Sequence, residues 1–289
     1  MNAVFTTIPL ALRAASARIG VFDSGVGGLT VLRELHRVLP GVPMHYVADN
    51  GHAPYGQRSP EFIIERSLAL TDYLTSQGTR VLVVACNTAT AQAVAALRQR
   101  WPELPIVGIE PGIKPAVAAS RNGRIGVMAT PSTIASARYQ SLIERHAPTV
   151  QVFSQACPGL VNLIERGELD SPALHRLLQT LCAPLIDAGV DTVLMGCTHY
   201  PLVQAQLQSH FGGGVQLLNI ETAVAQQAAR LWAAKSPVTP PPTYSIENPV
   251  DRQPVLLEAT GDATQLARFQ NFVQEVMGWH SASVQALRR

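Results

Sequence analysis

Lysine is nearly absent from this chain of 289 residues: Lys114 and Lys235 are its only two, and arginine carries almost all of the positive charge. Lys114 lies in a stretch bearing Pro and Gly, and Lys235 abuts a Pro-rich one, so neither is a convincing Schiff-base residue. Chemistry that needs such a lysine, pyridoxal phosphate chemistry above all, is set aside. An excess of charge of one sign is missing too. The formal net charge is +2, too small a field to gather nucleic acid or a membrane surface, and neither partner is expected. No stretch approaches the roughly 20 apolar residues of a membrane span. The opening "MNAVFTTIPLALRAASA" has a short apolar run but lacks the basic start of a secretory leader. It reads as a loose N-terminal extension, and the chain is placed in the cytoplasm.

Cysteine is sparse. Cys86, Cys157, Cys182 and Cys197 form no C-x-x-C pair, which excludes a disulfide framework. Cys197 and His199 lack the clustered partner ligands of a zinc site, so no metal is expected. "GVGGLT" is not a dinucleotide fingerprint, because Thr30 stands where its last glycine would be, and no G-K-[ST] follows to make a phosphate loop.

What is present is an α/β pattern. Hydrophobic residues make up 47% of the chain, and its length allows two ordinary domains with a large core. "RIGVFDS" (18–24), "PMHYVAD" (43–49), "RVLVVAC" (80–86) and "PIVGIE" (105–110) read as strands. "LTVLRELHRVL" (29–39), "SPEFIIERSLALTDYLTSQG" (59–78) and a segment running to Arg100 read as helices between them. Apolar strands separated by amphipathic helices mean βαβ units and a parallel sheet. The pattern then restarts. "RIGVFDS" at 18 is echoed by "RIGVMAT" at 124, and "LTSQGTRVLVVACNT" at 74 by "LIDAGVDTVLMGCTH" at 185. Two echoes in the same order imply two related, pseudo-symmetric α/β domains with the site in the cleft between them. "EPGIKPAV" (110–117) is the expected crossover, "SPVTPPPTYSIENP" (236–249) a surface loop and "DATQLARFQNFVQEVMGW" (262–279) a last helix.

Cys86 and Cys197 occupy equivalent strand ends in the two repeats, where open parallel sheets bind ligands. Two like groups approaching a ligand from opposite sides suit inversion of a tetrahedral carbon. One takes a proton from one face, the other delivers a proton to the opposite face, and the reverse reaction swaps their roles. A thiol with a reference pKa of about 8.5 can serve as that base. Both cysteines precede segments that look like helix starts, which would favour the thiolate. Asp23, on the neighbouring strand, is placed beside Cys86, and His199 is two residues beyond Cys197. Ser24, Asn87, Thr88 and Thr198 offer hydrogen bonds to a small amino acid, and "APYGQRS" puts Tyr55 and Gly56 on a loop open to ligand. Cys157 and Cys182 read as buried, inert thiols.

"VFDSGVGGLTVL", "APYG", "ACNTATA", "IEPGIKPA" and "GCTHYPL" resemble, in order and from about residue 18 onward, the glutamate racemases of the aspartate/glutamate racemase family. "CPGLVNLIERGE" (157–168) and "ATGDATQLARF" (259–269) resemble further segments of that family. The resemblance implies a cofactor-independent isomerase, a homodimer, that interconverts L- and D-glutamate for peptidoglycan. It implies Cys86 and Cys197 as the acid-base pair, Asp23 and His199 as their helpers, and Glu165 as a further candidate. It implies a substrate site of Asp23, Ser24, Tyr55, Gly56, Asn87, Thr88, Thr198 and His199. Its domain pattern joins residues 1–111 and 221–289, with 112–220 as the second domain. Two other readings stay open. One is a related two-cysteine enzyme for aspartate, a hydantoin or another small acid, against which "GCTHYP" speaks, since aspartate relatives resemble "GCTE" there. The other is a non-catalytic two-lobed binding protein.

Overall fold

The computed structural model describes residues 17–235, 255–280 and 282–287. The N-terminal extension up to residue 16 and the Pro-rich 236–249 connection lie outside the described residues.

Each strand that was read from an apolar run is a parallel strand with a buried face. β1 (Arg18–Asp23), β2 (Met44–Ala48), β3 (Thr79–Val84) and β4 (Ile106–Gly108) belong to one sheet, joined by β9 (Val255–Ala259) and β10 (Val284–Ala286) in the order β10-β9-β2-β1-β3-β4. The second sheet holds β5 (Arg124–Ala129), β6 (Gln151–Ala156), β7 (Thr192–Gly196) and β8 (Gln216–Leu218) in the order β6-β5-β7-β8. The order β2-β1-β3-β4 in the first sheet is thus repeated in the second. The sequence echoes fall on β1 with β5 and on β3 with β7. All registered pairings are parallel.

The helices begin where local chemistry dictates. α1 (Leu29–Val38) follows the glycine turn. α2 (Pro60–Ser76) has Pro60 at its first position, and the Ser59 hydroxyl accepts the Phe62 N–H. α3 (Asn87–Arg100) starts directly after Cys86. The expected crossover at 110–117 is mostly a helix, α4 (Ile113–Ala119). Pro115 sits in its first turn, where a missing N–H breaks no intrahelical bond, so proline there did not forbid helix. In the second repeat, α5 (Pro131–Ile134), α6 (Ala137–His146) and α8 (Pro172–Asp187) each open on a capping hydroxyl, from Thr130, Ser136 and Ser171. α7 (Leu160–Glu165) and α9 (Gln204–Phe211) complete it. α10 (Glu221–Lys235) packs on α1 and β3. α11 (Ala263–Met277), opened by an Asp262/Gln265 capping box, also packs on α1.

In each sheet the chain leaves the first strand of the repeat on one side and returns on the other. The gaps at the carboxyl ends of β1/β3 and β5/β7 are therefore switch points, the places where such sheets form a crevice. Cys86 follows β3 and Cys197 follows β7. No described helix is long and apolar enough to cross a membrane.

Candidate active site

The strand pairing of β1 with β3 brings Asp23 and Ser24 to Cys86. The Cys86 thiol reaches the Ser24 hydroxyl at 3.5 Å and accepts the Ala89 N–H at 3.5 Å as cap of α3, and the Ser24 hydroxyl in turn donates to Asp23 Oδ1 at 3.3 Å. Asp23 is fully buried. Its Oδ1 accepts the Ser24 N–H at 2.6 Å, and its Oδ2 accepts the Gly28 N–H. Burial raises the Asp23 carboxyl above its ordinary range against the lowering effects of His199 and Cys86. The thiol of Cys86 is also raised well above its ordinary value, by burial first and by the Asp23 charge second. The expectation that a helix start would favour a thiolate is thereby corrected for Cys86. The Ala89 N–H does lower the thiol, but desolvation of a sulfur that is 4% exposed outweighs one helix end. At rest Cys86 is a protonated acid.

Cys197 is different. Only a short 3₁₀ turn, Tyr200–Val203, follows it before α9, so it caps no α-helix. Its sulfur lies 3.7 Å from Nδ1 of His199, whose Nε2 lies 2.6 Å from Oε1 of Glu165. Burial works against the imidazolium, but the bonds to Cys197 and Glu165 more than offset it and hold His199 well above its usual value. The imidazolium form of His199 is thereby favoured, with the Cys197 sulfur on one ring nitrogen and the Glu165 carboxyl group on the other. Glu165, the terminal residue of α7, also accepts the Val26 N–H at 2.9 Å from the glycine turn of the first sheet.

That glycine turn is the floor of the site. A Cβ on Gly25 would overlap the Glu165 carboxylate, and one on Gly27 would overlap the His199 ring. Glycine is required here for close approach of a backbone to side chains of the other sheet's loops. Further bonds join the two halves. Thr198 donates to Asp23 Oδ2 at 3.4 Å, and the Thr30 hydroxyl reaches the Thr198 carbonyl at 3.3 Å. The Thr88 and Thr130 hydroxyls meet at 2.9 Å, with Thr133 3.0 Å from Thr130.

Asp23, Ser24, Cys86, Thr198, Cys197, His199 and Glu165 thus form one connected cluster. Cys197 is close enough to be among the groups that raise Cys86. Thr88 lies at the seam through Thr130, and Gly56 packs against that same Thr130. Asn87 donates to the Ile109 carbonyl at 3.4 Å and has a buried Oδ1 without a partner. The sequence places Tyr55 on a loop open to ligand, but the structure buries its side chain. It is 1% exposed, and its hydroxyl donates to Asp49 at 2.6 Å. Asp49, which also takes two bonds from Arg66 and one from Thr260, occupies that hydroxyl.

Sequence reasoning missed Thr130, Thr133, Asp49 and Asn50. For Thr130 a signal existed: it stands in "RIGVMAT" where Ser24 stands in "RIGVFDS". Among the described residues no group of three or more His, Cys, Asp or Glu side chains is arranged to hold a metal ion. Cys86 and Cys197 are 4% and 6% exposed. A cavity of about 170 Å³ opens beside Glu165, lined also by Asn50, Arg166, Gln265 and Arg268.

Comparison with known proteins identifies the family of this chain. The profile of the Asp/Glu/hydantoin racemase family matches residues 19–228. The glutamate racemase of Pseudomonas aeruginosa is 51% identical over 221 residues, covering 76% of this chain and 83% of that protein. The glutamate racemase of Pseudomonas syringae pv. tomato is 52% identical over 215 residues, 74% of this chain and 78% of that one. Among solved structures, Escherichia coli glutamate racemase in complex with L-glutamate and the activator UDP-MurNAc-Ala superposes with a TM-score of 0.80 at 29% identity, over 94% of this chain and 98% of that one. A glutamate racemase isoform from Bacillus anthracis gives 0.79 at 30% identity, over 94% and 97%.

Proposed function

Because this chain belongs to the Asp/Glu/hydantoin racemase family, we propose that it interconverts L- and D-glutamate by proton transfer at Cα between two cysteines. The observation that carries the mechanism is the pair of strand-end thiols, each with its own and different acid-base partner. Cys86 has Asp23, linked to it through Ser24, and Cys197 has the His199–Glu165 pair.

In one direction the sulfur of one cysteine, as thiolate, takes the Cα proton. The electron pair passes into the adjacent carboxylate, and the thiol of the other cysteine protonates Cα on the opposite face. The product has the inverted configuration, and the two thiols have exchanged protonation states. The reverse reaction swaps their roles. Asp23, when ionised, takes up or returns the Cys86 proton, while the His199 imidazolium, favoured by Cys197 and Glu165, stabilises the Cys197 thiolate by donating its Nδ1–H to the sulfur. The α-ammonium group of glutamate brings a positive charge to the Cys86 thiol and the Asp23 carboxyl, both raised by burial, which eases their ionisation. Ser24, Gly56, Asn87, Thr88, Thr198 and the Tyr55 backbone line the substrate in this reading. The Asn87 amide oxygen and the glycine-turn backbone supply polar contacts.

The two thiols are nearly closed off, so glutamate enters by separation of two lobes, 1–111 with 221–289 and 112–220. Sheet membership of β9 and β10 supports that division. A homodimer, a cytoplasmic location and supply of D-glutamate for peptidoglycan go with the same reading.

The test is incubation with L-glutamate in deuterated buffer without added cofactor, followed by circular dichroism and by NMR of Cα. Loss of rotation with deuterium mainly in the product enantiomer is expected. No loss of rotation, from L- or from D-glutamate, would reject glutamate as substrate and turn attention to aspartate and other small acids.

A further inference from the structure

The Glu165 carboxylate sits at the end of a three-torsion side chain on the last residue of α7, so its orientation must be imposed from outside. Oε1 faces His199 Nε2 at 2.6 Å and accepts the Val26 N–H at 2.9 Å. Oε2 accepts one bond, from the Asn50 side-chain amide at 3.3 Å. Asn50 lies in the 3₁₀ turn after β2 and is 5% exposed. Its amide oxygen is buried without a partner. A buried acceptor left unpaired is unfavourable, and the reverse placement of the amide would set oxygen against carboxylate. Glu165 thus dictates how Asn50 lies, and Asn50 in turn holds Glu165.

The Asn50 backbone is tied down independently. The Gln265 amide at the start of α11 donates to the Asn50 carbonyl at 3.0 Å, and the Gly51 N–H donates to the Thr260 hydroxyl at 3.0 Å. The neighbouring Asp49 N–H donates to the Asp23 carbonyl at 2.9 Å. Asn50 therefore stands on the first sheet and its C-terminal additions, while the carboxylate it holds serves the thiol that follows β7 of the second sheet.

We propose that Asn50 is a positioning residue for Cys197. It fixes the outer oxygen of Glu165 from across the seam, so that the inner oxygen stays on His199, and the acid-base pair of Cys197 is complete only when the two halves are together. This rests on the two-cysteine racemase reading above.

The test uses the full chain with Asn50→Ala and Asn50→Leu, the second retaining bulk without a donor. Both are expected to lower kcat/KM for glutamate about ten-fold or more, the scale set by small displacements of catalytic groups. In protein labelled at histidine, the His199 Nε2 proton resonance is expected to shift and exchange faster in both variants. Combining Asn50→Ala with Glu165→Gln is expected to cost no more than Glu165→Gln alone, because a residue acting through another loses its effect once that partner is gone. Additive losses, or full kcat/KM in Asn50→Leu with an unmoved His199 resonance, would overturn the proposal. If the wild-type chain does not racemise glutamate, the racemase reading fails separately, and the His199 resonance still decides whether Asn50 positions this pair.

Discussion

His199 and Glu165 face each other across 2.6 Å, and Cys197 on the opposite ring nitrogen together with this contact raises the imidazole well above its ordinary value despite burial. The two cysteine sites are thus equivalent in topology and unlike in chemistry. One thiol is paired with a carboxyl on an adjacent strand, the other with an imidazolium from its own loop.

Replacing Glu165 by Gln removes one of the two partners that raise His199. The imidazolium is then lost at a lower pH, so the basic limb of the kcat/KM profile moves to lower pH. Activity at neutral pH falls by about ten-fold or more, within the usual worth of a positioned acid-base group. A pH-rate profile beside a ¹⁵N titration of His199 checks both. An unmoved histidine titration would mean that Glu165 does not set its charge.

Cys86→Ala and Cys197→Ala each abolish racemisation, with a loss of at least about 100-fold, while glutamate still binds by calorimetry. Undiminished turnover in either variant would sink the two-base mechanism.

Gly25→Ala and Gly27→Ala push a methyl group into the Glu165 carboxylate and the His199 ring. Both are expected to lower kcat/KM by about 100-fold, as misplacement of catalytic groups does. Gly213→Ala is the control, since nothing lies near its added methyl, and it should leave kcat/KM unchanged.

Asp49 supports the turn that carries Asn50 and Tyr55. Burial opposes its ionisation, but Arg66, Tyr55 and Thr260 outweigh burial and hold its carboxyl below the usual range. A depressed carboxyl contributes stability above its unfolded value of about 3.9, and that contribution is lost as pH falls through the lower folded value. Arg66→Ala is therefore expected to cost about 3 kcal/mol near neutral pH, and the gap from wild type should close in acid. Denaturant unfolding at several pH values measures it. A gap that does not depend on pH would point to lost packing instead.

Much of this was legible in one dimension. A strand's apolar run, a Ser-Pro helix start and a repeated segment are local patterns. From them came the alternation of strands and helices, the doubling of the fold and the equivalence of Cys86 and Cys197, and strand-end position alone marked Asp23. Chain neighbourhood suggested His199 for Cys197. The family resemblance pointed to Glu165, whose bond to His199 spans 34 residues of chain.

Other features have no local signature. Thr198 meets Asp23 across 175 residues and Asn50 meets Glu165 across 115, contacts that exist only because loops of the two sheets come together in space. Tyr55 turned inward because Asp49 offered a buried acceptor. The charge states were decided at this level too, since the free energy of a buried proton depends on the solvent excluded and the groups gathered around it. The sequence by itself determined which residues would stand at the ends of which strands. Only tertiary structure decided that burial would raise one thiol and that the other would face an imidazole raised by its partners, because desolvation and pairing act through space, not along the chain.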